Sequence, residues 1–178
     1  IKIALVLGAG GVRGIAHIGA IEELDKAKIP INFVVGCSAG SIIGALYSSY
    51  GKASPLKVLV NGLQKDDVMD VKVFSAWMGL SDSTKLKKFL TTHIKYNCFK
   101  KLKIPLYIVA TDLNKGTKKI FSKGPLFEPI CASSAYPYMF RPVDIEQNTY
   151  VDGGLLDPVP TQVARDLGAD IVIAVDIT

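Results

Sequence analysis

Short apolar runs along the chain alternate with stretches in which apolar residues recur at helical spacing. Residues 2–7 are almost all apolar and lead into glycines, which is typical of a strand buried on both faces. After the loop at residues 8–11, an apolar residue recurs every third position from Ile15 to Leu24, and Pro30 ends this unit. The chain therefore begins with a predicted strand, a glycine loop and a predicted helix.

The remaining patterns predict further elements of both kinds. Strands are predicted at residues 33–35, 106–111, 118–121, 150–151 and 171–175. Helices are predicted at residues 39–50, 83–93 and 161–167, and helical spacing also runs from Leu56 to Leu63 within a mainly helical, polar stretch at 53–103. The lysines at 118–119 place their strand at a sheet edge. Strands that alternate with helices predict a layered α/β fold around a largely parallel sheet.

The composition is that of one globular domain. The chain has 178 residues, 49% of them hydrophobic, so we expect a single domain over residues 1–178 with its own core. No apolar run approaches the ~20 residues that span a bilayer. Three scattered cysteines do not make a disulfide scaffold. Reduced thiols are typical of the cytosol, so we expect a cytoplasmic protein.

Positive charge is concentrated in one segment. The net charge is +5, yet residues 85–123 carry eleven lysines against a single acid, Asp112. Such a segment attracts anionic lipid headgroups or nucleic acid, or it is an ordinary solvated face. Its aromatic residues are expected to lie in the core, which disfavours nucleic acid. They are Phe89, Tyr96, Phe99, Tyr107 and Phe121.

The sequence Gly36-Cys37-Ser38-Ala39-Gly40 matches the G-x-S-x-G nucleophile elbow. It follows an apolar strand and precedes a helix, which is the context that the motif requires. The glycines permit a tight turn in which a Cβ would clash, and the turn exposes the serine hydroxyl near the positive end of the next helix. A glycine-rich turn with an incidental serine is the competing interpretation. The Cys37 side chain is expected to point the other way, into the sheet packing.

The glycine-rich loop at residues 8–14 exposes backbone N–H groups that can hold an anion. A nucleotide phosphate is disfavoured, because Gly14 falls one position late for the dinucleotide spacing and no acid follows the next strand. The other candidate anion is the oxyanion of a tetrahedral intermediate. Its donors would be the N–H groups of Gly10, Gly11 and Val12. Arg13 either pairs with a carboxylate and caps this loop, the structural role that we favour, or acts as a functional group that steadies the oxyanion loop or meets a lipid phosphate.

A serine nucleophile needs a base, and histidine is the usual one. His17 precedes the serine and is expected to be a packing or surface residue, while His93 lies in the basic segment with no motif around it. A carboxylate remains, and Asp152 stands in an Asp-Gly-Gly turn at a predicted strand end. Asp-Gly is also a common hairpin sequence, so the residue pattern alone does not decide its role.

Taken together and in this order, the glycine loop, the elbow and the Asp-Gly-Gly turn resemble the patatin-like phospholipase family. Residues 104–113, 132–137 and 157–160 are also similar to bacterial members, so the resemblance spans essentially the whole chain. Two features depart from it. Gly8-Ala9 stands where plant members carry Asp-Gly, and residues 136–140 are bulkier than usual, which is expected to alter the acyl pocket. We expect this domain to lack a C-terminal region that is common in the family.

The resemblance implies a three-layer α/β/α fold and a serine lipid acyl hydrolase that needs no metal or other cofactor. Ser38 would be the nucleophile and Asp152 the proton acceptor of a catalytic dyad. The oxyanion would be held by backbone N–H groups of Gly10, Gly11, Val12 and Ala39. The motif glycines that permit these turns are Gly14, Gly36, Gly40, Gly153 and Gly154. The implied partners are a phospholipid or other acyl ester and an anionic membrane surface contacted peripherally, without nucleic acid. The alternative is a non-catalytic lipid-binding module of the same fold.

Overall fold

Seven strands form one mixed sheet in the computed structural model, which describes residues 1–64 and 83–178. The strands are β1 (Ile3–Leu7), β2 (Phe33–Cys37), β3 (Leu106–Asp112), β4 (Thr117–Phe121), β5 (Val143–Ile145), β6 (Asn148–Asp152) and β7 (Ile171–Val175). The described helices are α1 (Ala16–Lys26), α2 (Ala39–Tyr50), α3 (Ser54–Gln64), α4 (Thr84–His93), α5 (Phe127–Ser133) and α6 (Thr161–Asp166). Short 3₁₀ turns occur at Gly11–Ile15, Phe99–Lys101 and Gly153–Leu155.

The centre of the sheet is parallel, as predicted. β7, β1, β2 and β3 lie side by side with parallel pairing, and β4, β5 and β6 add antiparallel pairs beside β3. Alternate residues of β1 face opposite sides, so Leu5 and Leu7 enter a large core with α1 to α5. Ala4 and Val6 enter a smaller core with α6. The fold is therefore a sheet between two helical layers.

Several short elements were missed by the sequence patterns. The helix α5 is only seven residues long and contains Pro129, which is tolerated because it lies in the first turn. β5 has three residues, and a 3₁₀ turn at Gly11–Ile15 delays the start of α1. β2 extends through Gly36 to Cys37 because it keeps its pairing with β3. The helical prediction at 53–103 covers residues 65–82, which lie outside the described residues.

β2 and β6 share one edge of β3, and this arrangement creates the site. Val109 of β3 pairs with both β2 and β4, whereas the next residue, Ala110, pairs with both β4 and β6. A strand has only two edges, so β4 occupies one and the other passes from β2 to β6. β2 runs parallel to β3 and β6 runs antiparallel to it. Their carboxyl ends, at Cys37 and Asp152, therefore meet.

The basic segment contains the predicted edge strand and the aromatic residues that were predicted to lie in the core. The first four residues of β4 are exposed, and among the described strands β4 pairs with β3 alone, which agrees with an edge strand. Four of the five aromatic residues pack against the cores. The prediction is wrong for Tyr96, which is 47% exposed in the irregular segment after α4. The ammonium groups of Lys95 and Lys101 lie 5.1 and 5.7 Å from its ring centroid.

In the described part of the chain, no helix combines the length and apolar character needed to cross a bilayer.

Candidate active site

Ser38 occupies a sharp turn between β2 and α2. Its backbone has φ 53° and ψ −122°, a conformation that costs a non-glycine residue about 1–3 kcal/mol. The turn is tight enough that a Cβ on Gly36 would lie 2.6 Å from the carbonyl oxygen of Gly40. A Cβ on Gly40 would overlap the carbonyl of Leu7 at the end of β1. The spacing of the two glycines is therefore a steric requirement of the elbow.

The hydroxyl of Ser38 donates a hydrogen bond to Asp152. The distance from Ser38 Oγ to Asp152 Oδ2 is 2.6 Å, and both residues are buried. The second carboxylate oxygen, Oδ1, accepts from the backbone N–H of Gly154 at 2.7 Å. The two residues are 114 positions apart in sequence, and the meeting of β2 and β6 brings them together.

Burial dominates the electrostatics of the carboxylate. It raises the pKa of Asp152 to about 6, and the hydrogen bonds from Ser38 and Gly154 oppose this rise because they favour the charged form. At neutral pH the carboxylate is therefore ionised, but its charged form is less stable than it would be in water. It is also held in place, because the Asp152 carbonyl accepts from Thr111 Oγ1 and its N–H donates to the carbonyl of Ala135.

Neighbouring segments brace the start of the glycine loop. The N–H of Gly8 donates to the carbonyl of Val175 at 3.1 Å, and the N–H of Ala9 donates to the carbonyl of Pro158 at 2.8 Å. His17 lies beneath this loop, fully buried, with Nε2 2.8 Å from the carbonyl oxygen of Gly8. A carbonyl only accepts, so Nε2 carries the proton and donates. Burial lowers the pKa of His17, which keeps the ring neutral.

Neither histidine is placed as a base for the serine. His17 is a packing residue, as predicted, and its bonded nitrogen is committed to Gly8. His93 ends α4, where its ring lies 4.4 Å from that of Phe89 and its carbonyl accepts from Tyr50. The described residues that line the cavity above Ser38 include neither of them.

A cavity of about 470 Å³ opens above the dyad. Ser38, Asp152 and the glycine loop line it. The structure thus brings most of the predicted site residues to one cavity: Gly10, Gly11, Val12, Ser38, Asp152 and Gly154. Ala39 is fully buried at the first position of α2, and Gly14, Gly36, Gly40 and Gly153 are buried around the site. The same cavity is also lined by Ser134, Tyr136, Met139 and Phe140.

The two ambiguous residues beside the motifs have distinct environments. Arg13 is exposed at the rim of the cavity. Cys37 is fully buried, as expected for a side chain packed into the sheet. Burial first, and then the charges of Asp152 and Asp157, raise the pKa of its thiol well above the usual value. Cys37 is therefore an inert thiol and not a competing nucleophile.

Sequence reasoning missed the role of Ser133. This buried residue, the last of α5, accepts a hydrogen bond from the N–H of Ser38. The available signal was its place in residues 132–137, a stretch similar to bacterial members of the family but without an assigned role. Within residues 1–64 and 83–178, no group of three or more His, Cys, Asp or Glu side chains is arranged to hold a metal ion.

Comparisons with known sequences point to one family. The sequence model described as patatin-like phospholipase matches residues 5–165. An uncharacterised NTE family protein of Mycobacterium tuberculosis is 31% identical over 99% of this chain and 49% of its own length. Lysophospholipase NTE1 of Pyricularia oryzae is 32% identical over 99% of this chain and 12% of its own length. Patatin-like phospholipase domain-containing protein 6 of Homo sapiens is 34% identical over 98% of this chain and 13% of its own length. The chain spans half or less of each of these relatives.

A solved structure supports the fold. VipD from Legionella pneumophila matches 89% of this chain and 47% of its own chain, with a TM-score of 0.54. The sequence identity is 17%, so this likeness concerns the architecture alone.

Proposed function

The chain belongs to the patatin-like phospholipase family, and from that membership and its site we propose that it is a serine lipid acyl hydrolase. The observation that carries the proposal is the 2.6 Å hydrogen bond from Ser38 Oγ to Asp152 in a cavity that is also lined by the glycine loop and by apolar side chains. An activated hydroxyl, a proton acceptor and anion-binding amides are the groups that acyl transfer requires.

In the proposed acylation step, Ser38 Oγ attacks the ester carbonyl carbon while its proton passes to Asp152. The carbonyl oxygen becomes an oxyanion, held by the N–H groups of the glycine loop and of Ala39 at the start of α2. When the intermediate collapses, the bond to the leaving alcohol breaks and Asp152 returns the proton to that alcohol. An acyl-enzyme on Ser38 remains.

In the deacylation step, water takes the place of the alcohol. Asp152 accepts a proton from the water as its oxygen attacks the acyl carbon, and the second tetrahedral intermediate is again held by the amides. Collapse releases the fatty acid and returns the proton to Ser38. Atoms and charges balance over the cycle, and no further group is needed.

A carboxylate is a weak base for an alcohol, even with a pKa of about 6. The protein compensates in two ways. Burial removes the water that would otherwise solvate Asp152, and preformed amide dipoles stabilise the developing oxyanion. We therefore assign the larger share of the rate enhancement to oxyanion stabilisation and the smaller share to base strength.

The proposed substrate is an acyl ester of a lipid. Val12, Tyr136, Met139 and Phe140 give the cavity an apolar lining that suits a hydrocarbon chain. Two named relatives are a lysophospholipase and a patatin-like phospholipase domain-containing protein, so a lysophospholipid is the first substrate to test.

The test uses a fluorophosphonate probe, which labels an activated serine covalently, beside hydrolysis of a short p-nitrophenyl ester and of lysophosphatidylcholine. Ser38→Ala should lose both labelling and turnover, and Asp152→Asn should lose turnover to a similar degree. His93→Gln is the matched control and should retain activity. If Ser38→Ala hydrolyses the short ester within about tenfold of the parent rate, the nucleophile assignment fails.

The alternative, a lipid-binding module without catalysis, predicts a different result. Such a protein would bind lipid while Ser38 stayed inert to the probe. The intact hydrogen bond between Ser38 and Asp152 favours the hydrolase.

We also propose that the basic segment at 85–123 helps the enzyme reach anionic lipid surfaces from the cytoplasm. Its lysines are spread over α4, the turn at Phe99–Lys101, β4 and the connecting segments beside them. Lys118 is paired with Asp157 at 2.7 Å. Hydrolysis on anionic vesicles should therefore fall with salt, while hydrolysis of a soluble ester should not. Lys119→Glu with Lys123→Glu should weaken only the vesicle reaction. Equal salt sensitivity of both substrates would assign the segment to ordinary solvation.

A further inference from the structure

A buried serine hydroxyl lies between the nucleophile and the central strand. The N–H of Ser38 donates to Ser133 Oγ at 2.9 Å, and the Ser133 hydroxyl donates to the carbonyl of Val109 at 2.6 Å. Ser133 has no exposed surface. Its hydroxyl therefore joins the backbone of the elbow to the backbone of β3.

This hydroxyl stands where a sheet hydrogen bond would otherwise be. At the start of the β2–β3 pair, the N–H of Val34 donates to the carbonyl of Pro105. The bonds of a parallel pair recur every two residues along each strand. Two repeats further on, the expected bond joins the N–H of Ser38 to the carbonyl of Val109, and these are the two groups that Ser133 Oγ bridges. The ladder is thus widened by one oxygen atom where the chain enters the elbow.

The widening occurs where space is needed. Past Val109, the same edge of β3 is taken by β6, which ends at Asp152. Gly153 follows so closely that a Cβ there would overlap the Val109 carbonyl and lie 3.0 Å from Cys37 Sγ. A direct bond from Ser38 to Val109 would draw the elbow toward β3 and into this crowded junction.

We propose that Ser133 is a positioning residue of the dyad, whose inserted hydroxyl sets the distance of the elbow from β3 and so aims Ser38 Oγ at Asp152. Ser133 touches no reacting atom and acts through the backbone of Ser38. The kinetic part of this inference rests on the proposed hydrolase function, and the structural part does not.

The test compares two replacements with a matched control. Ser133→Ala removes the hydroxyl, whereas Ser133→Cys nearly preserves its volume but replaces it with a weak donor and acceptor. Ser48→Ala is the control, because Ser48 is also a fully buried serine of the same layer and its hydroxyl has no partner among the described residues. Each rate is normalised to the folded fraction, measured by circular dichroism at the assay temperature.

Both Ser133 variants should lose about 10- to 100-fold in kcat for a short ester, as misplacement of a reacting group by about 1 Å does. KM should change less than about threefold, because the cavity walls are retained. Ser48→Ala should keep the parent kcat. Parent-like kcat in Ser133→Ala, or full activity in Ser133→Cys, would overturn the proposal, since packing alone would then account for the residue.

A crystal structure of Ser133→Ala tests the positioning role without an activity measurement. The N–H of Ser38 should close directly on the carbonyl of Val109, and Ser38 Oγ should move away from Asp152 by at least about 0.5 Å. An elbow that superimposes on the parent would overturn the positioning role even if catalysis were established. An inert parent enzyme would instead refute the proposed function and leave this structural result standing on its own.

Discussion

Asp152→Asn should inactivate the protein and stabilise it at neutral pH. The substitution keeps the size and shape of the side chain. The new carbonyl oxygen can accept the bond from the Gly154 N–H, and the new amide can donate to Ser38 Oγ. The contact with Ser38 is kept, but Ser38 changes from donor to acceptor and its hydroxyl proton must turn toward the cavity. The main change is therefore the loss of a buried negative charge.

The magnitude follows from the pKa of the carboxyl group. Burial raises the pKa of Asp152 from 3.8 to about 6, and one pKa unit corresponds to 1.36 kcal/mol. Holding the carboxylate ionised in the folded protein at pH 7.5 therefore costs about 3 kcal/mol. Asp152→Asn should regain up to about that amount in the free energy of unfolding, or several degrees in Tm for a chain of this size.

The stability difference between Asp152→Asn and the parent should depend on pH. The folded protein holds the Asp152 proton more tightly than the unfolded chain does, so protonation of Asp152 stabilises the folded state. This contribution is complete below about pH 4. That contribution is lost as the pH rises from about 4 to about 6. The advantage of Asp152→Asn should accordingly be near zero at pH 4, grow up to pH 6 and stay constant above it.

Urea unfolding of parent and variant at pH 4, 5, 6 and 7.5 measures the difference. Asp166→Asn is the control, because Asp166 is exposed and its Oδ1 accepts from Gln162 on the same helix. That control should change stability little at any pH. A variant that is less stable than the parent at pH 7.5, or a stability difference that does not vary with pH, would refute the reasoning that burial of the ionised carboxylate destabilises the folded protein.

Three further predictions concern activity. The kcat/KM for a soluble ester should fall about tenfold per pH unit below about pH 6, because only ionised Asp152 accepts the proton; a pH profile that is flat down to pH 4.5 would contradict this. His17→Gln, which keeps a donor for the carbonyl of Gly8, should retain most activity in an ester assay, whereas His17→Leu should lose activity and about 1–3 kcal/mol of stability in urea unfolding. Equal effects of the two variants would argue against the bracing role. Phe140 lines both the active-site cavity and a smaller apolar pocket beside Leu86, so its side chain separates the two spaces. Phe140→Ala should therefore shift the substrate preference toward longer acyl chains in a series of p-nitrophenyl esters. An unchanged preference would show that Phe140 is not a barrier between them.

The central elements were predictable because their patterns are local. The apolar runs of β1, β2 and β7 and the small residues of α2 each fill an unbroken stretch of at least five residues, which is long enough for the pattern to be recognised. The observed α2, Ala39–Tyr50, has the predicted bounds. Patterning failed for α5 and β5, whose few residues show too little periodicity to stand out. It also failed for Tyr96, since alternation does not show which aromatic residue of a loop turns outward.

The sequence by itself determined the elbow, because Gly36, Ser38 and Gly40 are neighbours within one five-residue motif. The carbonyl that Gly40 must clear, that of Leu7, nevertheless belongs to β1. The sequence also singled out the Asp-Gly-Gly turn, although Asp-Gly alone is equally typical of a hairpin. Only the tertiary structure decided that Asp152 meets Ser38, because β2 and β6 end against adjacent residues of β3. The same is true of Ser133, which is 95 residues from Ser38 in sequence and reaches it from the end of α5. Contacts of this kind depend on which strand edges are shared, and no pattern of neighbouring residues records that pairing.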